Sequence, residues 1–160
     1  MIPSKDVALV LSSGGARGLA HIGAIEELLS HGYRITSIAG CSMGALIGGV
    51  YAAGKLEEFR EWMKGIDRKK MLELIDFSFS INHLVKGDRI IEAIRASISL
   101  PSFYKPVQRD GMVLIDGGVL NPIPLNRVKR QKNDILIGVD VSGHDYKSQW
   151  EENLIISYSL

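Results

Sequence analysis

The sequence predicts an α/β fold built on a mostly parallel sheet. Its 17 glycines fall in clusters, and three clusters begin soon after an apolar run rich in valine, isoleucine or leucine. Strand, glycine turn and helix in that order form the repeating unit of a parallel α/β sheet. The length of 160 residues suits one domain. Hydrophobic residues at 46% and charged residues at 23% are ordinary for a globular protein.

The charge balance and the single cysteine exclude several function classes. Lys and Arg number 19 against 18 Asp and Glu, and a net charge of +1 argues against a nucleic-acid partner held by phosphate charge. Cys41 cannot form an internal disulfide. Residues 1–6 carry a charged pair where a signal peptide needs apolar residues, and the longest apolar run, residues 44–54, is far shorter than the ~20 residues of a membrane span. These features predict a cytoplasmic protein.

The individual elements follow from the spacing of apolar residues. Residues 7–11 form an unbroken apolar run, which is typical of a strand covered on both faces. A second strand is predicted at residues 35–39, and a helical pattern follows each of the two strands. A further amphipathic helix begins at Leu56. Two more buried strands are predicted at residues 112–115 and 134–139.

The turn after the second strand carries a candidate nucleophile. Gly40-Cys41-Ser42-Met43-Gly44 matches G-x-S-x-G between a predicted strand and a predicted helix, the context of a nucleophile elbow. In such a turn the serine hydroxyl projects above the sheet, and glycines remove the Cβ atoms that would block the turn and the substrate. The following helix directs its N-terminus at the site and favours developing negative charge. The alternative is a tight turn in which Ser42 only caps a helix.

A second glycine turn follows the first strand. In residues 12–18, consecutive glycines can direct several backbone N–H groups at one point, as in an anion nest or an oxyanion hole. The segment lacks both the G-x-G-x-x-G pattern and the Lys-Ser/Thr ending of a P-loop, so a nucleotide site is the weaker interpretation. A purely structural turn stays open.

Asp116-Gly117-Gly118 directly follows the third predicted strand. An aspartate in that position faces the edge of the sheet at which α/β folds bind their ligands. A carboxylate that is partly shielded from water is a better base, provided that it contacts the serine hydroxyl. The alternative is an aspartate that is bonded only to its own glycine turn.

Together these three segments resemble the patatin-like phospholipases, and the resemblance extends through residues 93–101 and 121–124. It implies a three-layer α/β/α sandwich with a Ser–Asp dyad and no catalytic histidine. Ser42 would then be the nucleophile and Asp116 the base. The implied oxyanion hole consists of the backbone N–H groups of Gly14, Gly15, Ala16 and Arg17. The implied reaction is hydrolysis of fatty-acyl esters of (lyso)phospholipids or related lipids, with no metal and no cofactor.

The chain departs from this family in one region. In such proteins a long segment separates the equivalent of residues 87–89 from the equivalent of the helix at residues 93–97, and here only residues 90–92 lie between them. We therefore expect residues 1–160 to form one patatin-like domain that lacks a segment near residues 90–93 and the C-terminal end.

Two rival functions stay open on the sequence alone. The chain order Ser42, Asp116, His144 is that of an α/β-hydrolase with a catalytic triad. The two glycine turns could instead serve a non-enzymatic module that binds anions or nucleotides. A further alternative is a catalytically inactive fragment that retains these motifs for structural reasons. His21 is expected to pack or to lie on the surface, and Cys41 to be a small buried side chain. The expected partners are a lipid ester and, peripherally, a membrane surface, while the oligomeric state is not predicted.

Overall fold

The computed structural model describes residues 5–65, 88–99 and 106–142, with the backbone alone described for residues 88–91. In chain order, the strands and helices are β1 (Asp6–Leu11), α1 (Ala20–Ser30), β2 (Arg34–Gly40), α2 (Met43–Ala52), α3 (Leu56–Lys64), α4 (Asp88–Ser97), β3 (Val107–Arg109), β4 (Met112–Leu114) and β5 (Ile135–Val139). Short 3₁₀ helices cover Gly15–Leu19, Gly117–Val119 and Leu125–Arg127.

The centre of the fold is a parallel sheet with the strand order β2-β1-β5. Every residue from Val7 to Leu11 of β1 is completely buried. Strand β1 is therefore covered on both faces, as its unbroken apolar run predicts. Helices flank the sheet, which confirms the predicted α/β/α class with a mostly parallel sheet.

The three strands end level with one another. Leu11 at the end of β1 is paired with Gly40 of β2 on one side and with Val139 of β5 on the other. Two backbone hydrogen bonds continue past these pairs, from Cys41 N–H to the Leu11 carbonyl at 3.1 Å and from Ser12 N–H to the Val139 carbonyl at 3.0 Å. The loops after β1, β2 and β5 therefore leave the sheet at one shared edge, where α/β folds place their sites.

The prediction of a buried strand at residues 112–115 is wrong. Met112–Leu114 pairs with Val107–Arg109 in a two-stranded antiparallel hairpin, and Met112 and Val113 are 54% and 61% exposed. The chain reverses at Asp110-Gly111, where both residues have positive φ, 50° and 75°. Asp-Gly is a strong signal for this kind of two-residue hairpin turn, and it outweighs a short apolar run that has no helical or alternating period.

The helices bury one continuous apolar core against the sheet. Its members are Val7, Leu9, Leu11, Ile22, Ile25, Leu46, Ile47, Val50, Phe59 and Ile94. Helix α2 lies especially close to the sheet. A Cβ at Gly48 would stand only 3.2 Å from Cδ1 of Ile38, so the absence of a side chain at Gly48 permits this approach. Small residues on α2 predict this close approach. Helix α4 runs without interruption through residues 90–92.

Candidate active site

Ser42 lies in a strained turn between β2 and α2. Its φ of 51° and ψ of −119° are rarely adopted by a residue with a side chain. The glycines on both sides are required by contacts with backbone atoms. A Cβ at Gly40 would stand 2.3 Å from the Gly44 carbonyl oxygen, and a Cβ at Gly44 would stand 2.5 Å from the Leu11 carbonyl oxygen. The G-x-S-x-G spacing thus allows α2 to start directly on top of the end of β1.

Ser42 and Asp116 are brought into direct contact. The Ser42 hydroxyl donates a hydrogen bond of 2.8 Å to Oδ2 of Asp116, across a sequence separation of 74 residues. The other carboxylate oxygen, Oδ1, accepts from the Gly118 N–H at 2.7 Å. Asp116 is only 5% exposed. The sequence left open whether Asp116 bonds to the serine or only to its own glycine turn. The carboxylate does both, with Oδ2 on Ser42 and Oδ1 on Gly118.

The end of helix α4 contacts both of these residues through atoms that the sequence did not single out. The Ser42 N–H donates to Oγ of Ser97 at 2.9 Å, and the Asp116 N–H donates to the Ser99 carbonyl at 2.8 Å. Ser99 is 2% exposed. In the sequence, residues 93–101 stand out only through the family resemblance. Nothing in the sequence distinguishes Ser97 from a serine that merely ends a helix. Its contact with Ser42 could therefore be found only in the tertiary structure.

The glycine turn after β1 packs against the serine turn. It forms the 3₁₀ helix Gly15–Leu19, and a Cβ at Gly18 would stand 2.3 Å from Cγ of Met43, the residue after Ser42. N–H groups in the first turn of a helix, here those of Gly15 and Ala16, have no acceptor inside that helix. The Arg17 N–H is different because it donates to the Gly14 carbonyl at 3.1 Å.

His21 forms a hydrogen bond with Ser12, at the start of this glycine turn. It is completely buried, and its Nε2 lies 2.9 Å from the Ser12 carbonyl oxygen. Since a carbonyl only accepts, Nε2 carries the proton and Nδ1 is left with a lone pair, which has no partner among the described residues. Burial lowers the pKa of His21, against the Ser12 hydrogen bond and the charge of Asp140. Of the two places expected for His21, packed in the interior or on the surface, the structure shows the packed one.

Cys41 is 3% exposed, and its Sγ lies beside the turn that follows Asp116, since a Cβ at Gly117 would stand 3.1 Å from it. Burial, with the Asp116 carboxylate as a second cause, raises the pKa of the Cys41 thiol to about 11. The thiol is therefore protonated at neutral pH, and the prediction of a small buried side chain is confirmed. Among the other histidines, His31 is exposed beside Glu27, and His83 and His144 lie outside the described residues.

Within residues 5–65, 88–99 and 106–142, no group of three or more His, Cys, Asp or Glu side chains is arranged to hold a metal ion. No helix in these same ranges is long and apolar enough to cross a membrane.

A strained serine between two sterically required glycines, at the carboxyl edge of a parallel sheet, has the backbone geometry of the strand-to-helix turn that α/β proteins use as a nucleophile elbow. The sequence profile of the family described as Patatin-like phospholipase matches residues 9–88 and 76–128, which together cover most of the chain. The chain belongs to the patatin-like phospholipase family.

The chain is also similar to proteins named as members of an NTE family and to one named lysophospholipase NTE1. It is 36% identical over 182 residues to an uncharacterized NTE family protein of Mycobacterium bovis, covering 89% of this chain and 51% of that protein. It is 29% identical to an uncharacterized NTE family protein of Mycobacterium tuberculosis, with coverage of 88% and 31%. It is 26% identical to lysophospholipase NTE1 of Scheffersomyces stipitis, with coverage of 91% and 12%. The chain spans about half the length of the first relative and less of the other two.

Proposed function

We propose that this chain is a serine acyl hydrolase that cleaves fatty-acyl esters of (lyso)phospholipids or related lipids. The observation that carries the proposal is the 2.8 Å hydrogen bond from the Ser42 hydroxyl to Oδ2 of Asp116 in a nucleophile elbow. This bond runs directly from serine to carboxylate with no histidine between them, which favours a Ser–Asp dyad over the Ser42/Asp116/His144 triad.

The reaction would proceed in two acyl-transfer steps. Asp116 takes the hydroxyl proton of Ser42 as the serine oxygen attacks the ester carbonyl. The tetrahedral intermediate collapses, the ester C–O bond breaks, and the leaving alcohol receives the proton from Asp116. Water then attacks the acyl-serine, again losing a proton to Asp116. The fatty acid leaves and Ser42 regains its hydrogen.

Backbone N–H groups of the glycine turn would stabilise the negative oxygen in both steps. The close packing of Gly18 on Met43 supports this role because it keeps the turn beside the serine. Gly14, Gly15 and Ala16 are the donors that we assign. Arg17 would first have to release the Gly14 carbonyl. In comparable sites the loss of one such donor costs about 10²–10³ in turnover.

The choice of a lipid substrate is supported by the surroundings of Asp116. Large apolar side chains are exposed on both sides of it in the chain, with Val113 61%, Val119 54% and Leu120 86% exposed. Exposed apolar side chains beside a site favour an apolar ligand or a lipid surface. The name of the relative lysophospholipase NTE1 indicates the same substrate class. Peripheral contact of this segment with a lipid surface is part of the proposal.

We also propose that the relatives contain a segment near residues 90–93 that this chain lacks. The match to the Mycobacterium bovis relative extends over 182 residues, which exceeds the 160 residues of the chain. The family profile likewise matches in two overlapping pieces, residues 9–88 and 76–128, rather than in one.

The test is hydrolysis of p-nitrophenyl butyrate by wild type and by Ser42→Ala, Asp116→Asn and His144→Ala, each checked for folding by circular dichroism. We expect background rates for Ser42→Ala and a loss of about 10²–10⁴ for Asp116→Asn, the usual contribution of a general base. His144→Ala should retain activity, and its loss would favour the triad. Activity retained in Ser42→Ala would refute the proposal, and a lysophosphatidylcholine assay then tests the lipid class.

A further inference from the structure

The end of helix α4 accepts hydrogen bonds from the backbone N–H groups of both Ser42 and Asp116. Ser97 supplies a side-chain acceptor to Ser42, and Ser99 supplies a carbonyl acceptor to Asp116, with both contacts below 3 Å. The two serines are only two positions apart in the chain. This short stretch therefore ties together two residues that come from separate elements and are 74 positions apart.

The Ser42 N–H receives its acceptor from neither β2 nor α2, the two elements next to it in the chain. Ser42 follows the end of β2, and it precedes the first residue of α2 as its N-cap. An N-cap amide has no acceptor within the helix. Ser97 Oγ fills that need at 2.9 Å. The contact fixes the orientation of the peptide group between Cys41 and Ser42, just where the backbone is strained.

The orientation of that peptide group decides where the serine hydroxyl points. A rotation about the Ser42 backbone would swing Cβ and Oγ away from Oδ2 of Asp116. The positive φ of Ser42 is a strained conformation, which surrounding contacts have to maintain. We infer that Ser97 is a positioning residue, whose hydroxyl holds the strained Ser42 backbone so that the nucleophile stays bonded to Asp116. This inference rests on the proposed acyl-hydrolase function.

Ser97→Ala removes the acceptor and leaves Ser42 and Asp116 intact. We expect kcat per active site to fall by up to about 10²-fold with little change in KM, since a misplacement near 1 Å has that effect on an aligned reaction. Active sites are counted by endpoint labelling with a fluorophosphonate probe. A purely structural role would lower the number of labelled sites and the melting temperature but would leave the rate per labelled site unchanged.

Conservative variants and a matched control separate positioning from packing. Ser97→Thr keeps a hydroxyl acceptor and should restore most of the rate, while Ser97→Cys offers a weaker acceptor and should lie between serine and alanine. Ser30→Ala is the control, because Ser30 is also the last residue of a helix and its hydroxyl contacts only groups close to it in the chain among the described residues, the Glu27 carbonyl at 2.8 Å and Nδ1 of His31 at 3.2 Å. Its rate per labelled site should equal that of wild type.

The outcomes distinguish failure of the positioning role from failure of the proposed function. If wild type is labelled at Ser42 and Ser97→Ala has the wild-type rate per site, the positioning role is refuted and the hydrolase stands. The positioning role is also refuted if Ser97→Thr and Ser97→Cys are no faster than Ser97→Ala. If wild type neither reacts with the probe nor hydrolyses the ester, the proposed function itself fails.

Discussion

Replacement of Gly44 by alanine tests the geometry of the serine turn most directly. The added Cβ would lie 2.5 Å from the carbonyl oxygens of both Leu11 and Ser12, where ordinary contact begins at 3.4 Å. Relief requires a movement of about 1 Å between α2 and the end of β1, two elements that close packing holds together. Such overpacking costs about 1–3 kcal/mol, which exceeds the gain of up to about 1 kcal/mol from placing alanine in a helix.

The expected result of Gly44→Ala is a melting temperature lower by roughly 2–4 °C for each kcal/mol lost, measured by circular dichroism. The rate of p-nitrophenyl butyrate hydrolysis should fall further than the folded fraction does, because α2 carries Ser42 at its start. Gly23→Ala in α1 is the matched control. A Cβ there meets nothing within 4 Å among the described residues, so this variant should gain about 0.5–1 kcal/mol. Equal stability of the two variants would refute the steric reasoning.

The remaining predictions concern two buried groups. Because burial lowers the pKa of His21 from 6.5, the unfolded chain binds a proton that the native state does not. The urea midpoint should therefore fall as the pH drops below about 6.5, less so in His21→Gln, and an equal fall in both would contradict the assignment. Cys41, whose pKa is about 11, should react with iodoacetamide at neutral pH only as fast as the protein opens. Asp116→Asn removes one cause of that raised pKa, so the ultraviolet absorbance of the Cys41 thiolate in the folded protein should appear at a lower pH than in wild type.

The turns that build the site were predictable because each follows a strand that the apolar pattern identifies. The apolar run at residues 7–11 predicts a buried strand, and the glycines around Ser42 predict a tight turn. Both features are present in the structure. Glycine in these turns reflects contacts with backbone atoms, which depend little on distant parts of the chain. The contact between Ser42 and Asp116 was expected from the family resemblance. The residues alone placed both at one edge of the sheet, and they left open whether the two side chains touch.

Features that depend on distant packing were not predictable in the same way. The residues before Asp116 were assigned to a buried strand, yet they form an exposed hairpin. Asp116 is joined to the edge of the parallel sheet by its contact with Ser42, and its N–H donates to the Ser99 carbonyl. An apolar run of four residues carries too little periodicity to indicate which sheet it joins. Ser97 could not be identified for a related reason, since an acceptor for one amide 55 positions away leaves no pattern in the sequence.

The strained backbone of Ser42 has a consequence for how this chain can change over time. A residue with a side chain at a φ of 51° costs roughly 1–3 kcal/mol, and glycine would relieve much of it. A glycine at this position would therefore relieve the backbone strain, whereas the proposed reaction requires the serine hydroxyl. Under the proposed function, the stability of the fold and the catalytic rate therefore make opposite demands on Ser42. A copy released from the need for the hydroxyl would be free to lose this serine, and the stability gained in the backbone would be offset by the loss of the hydrogen bond to the buried Asp116.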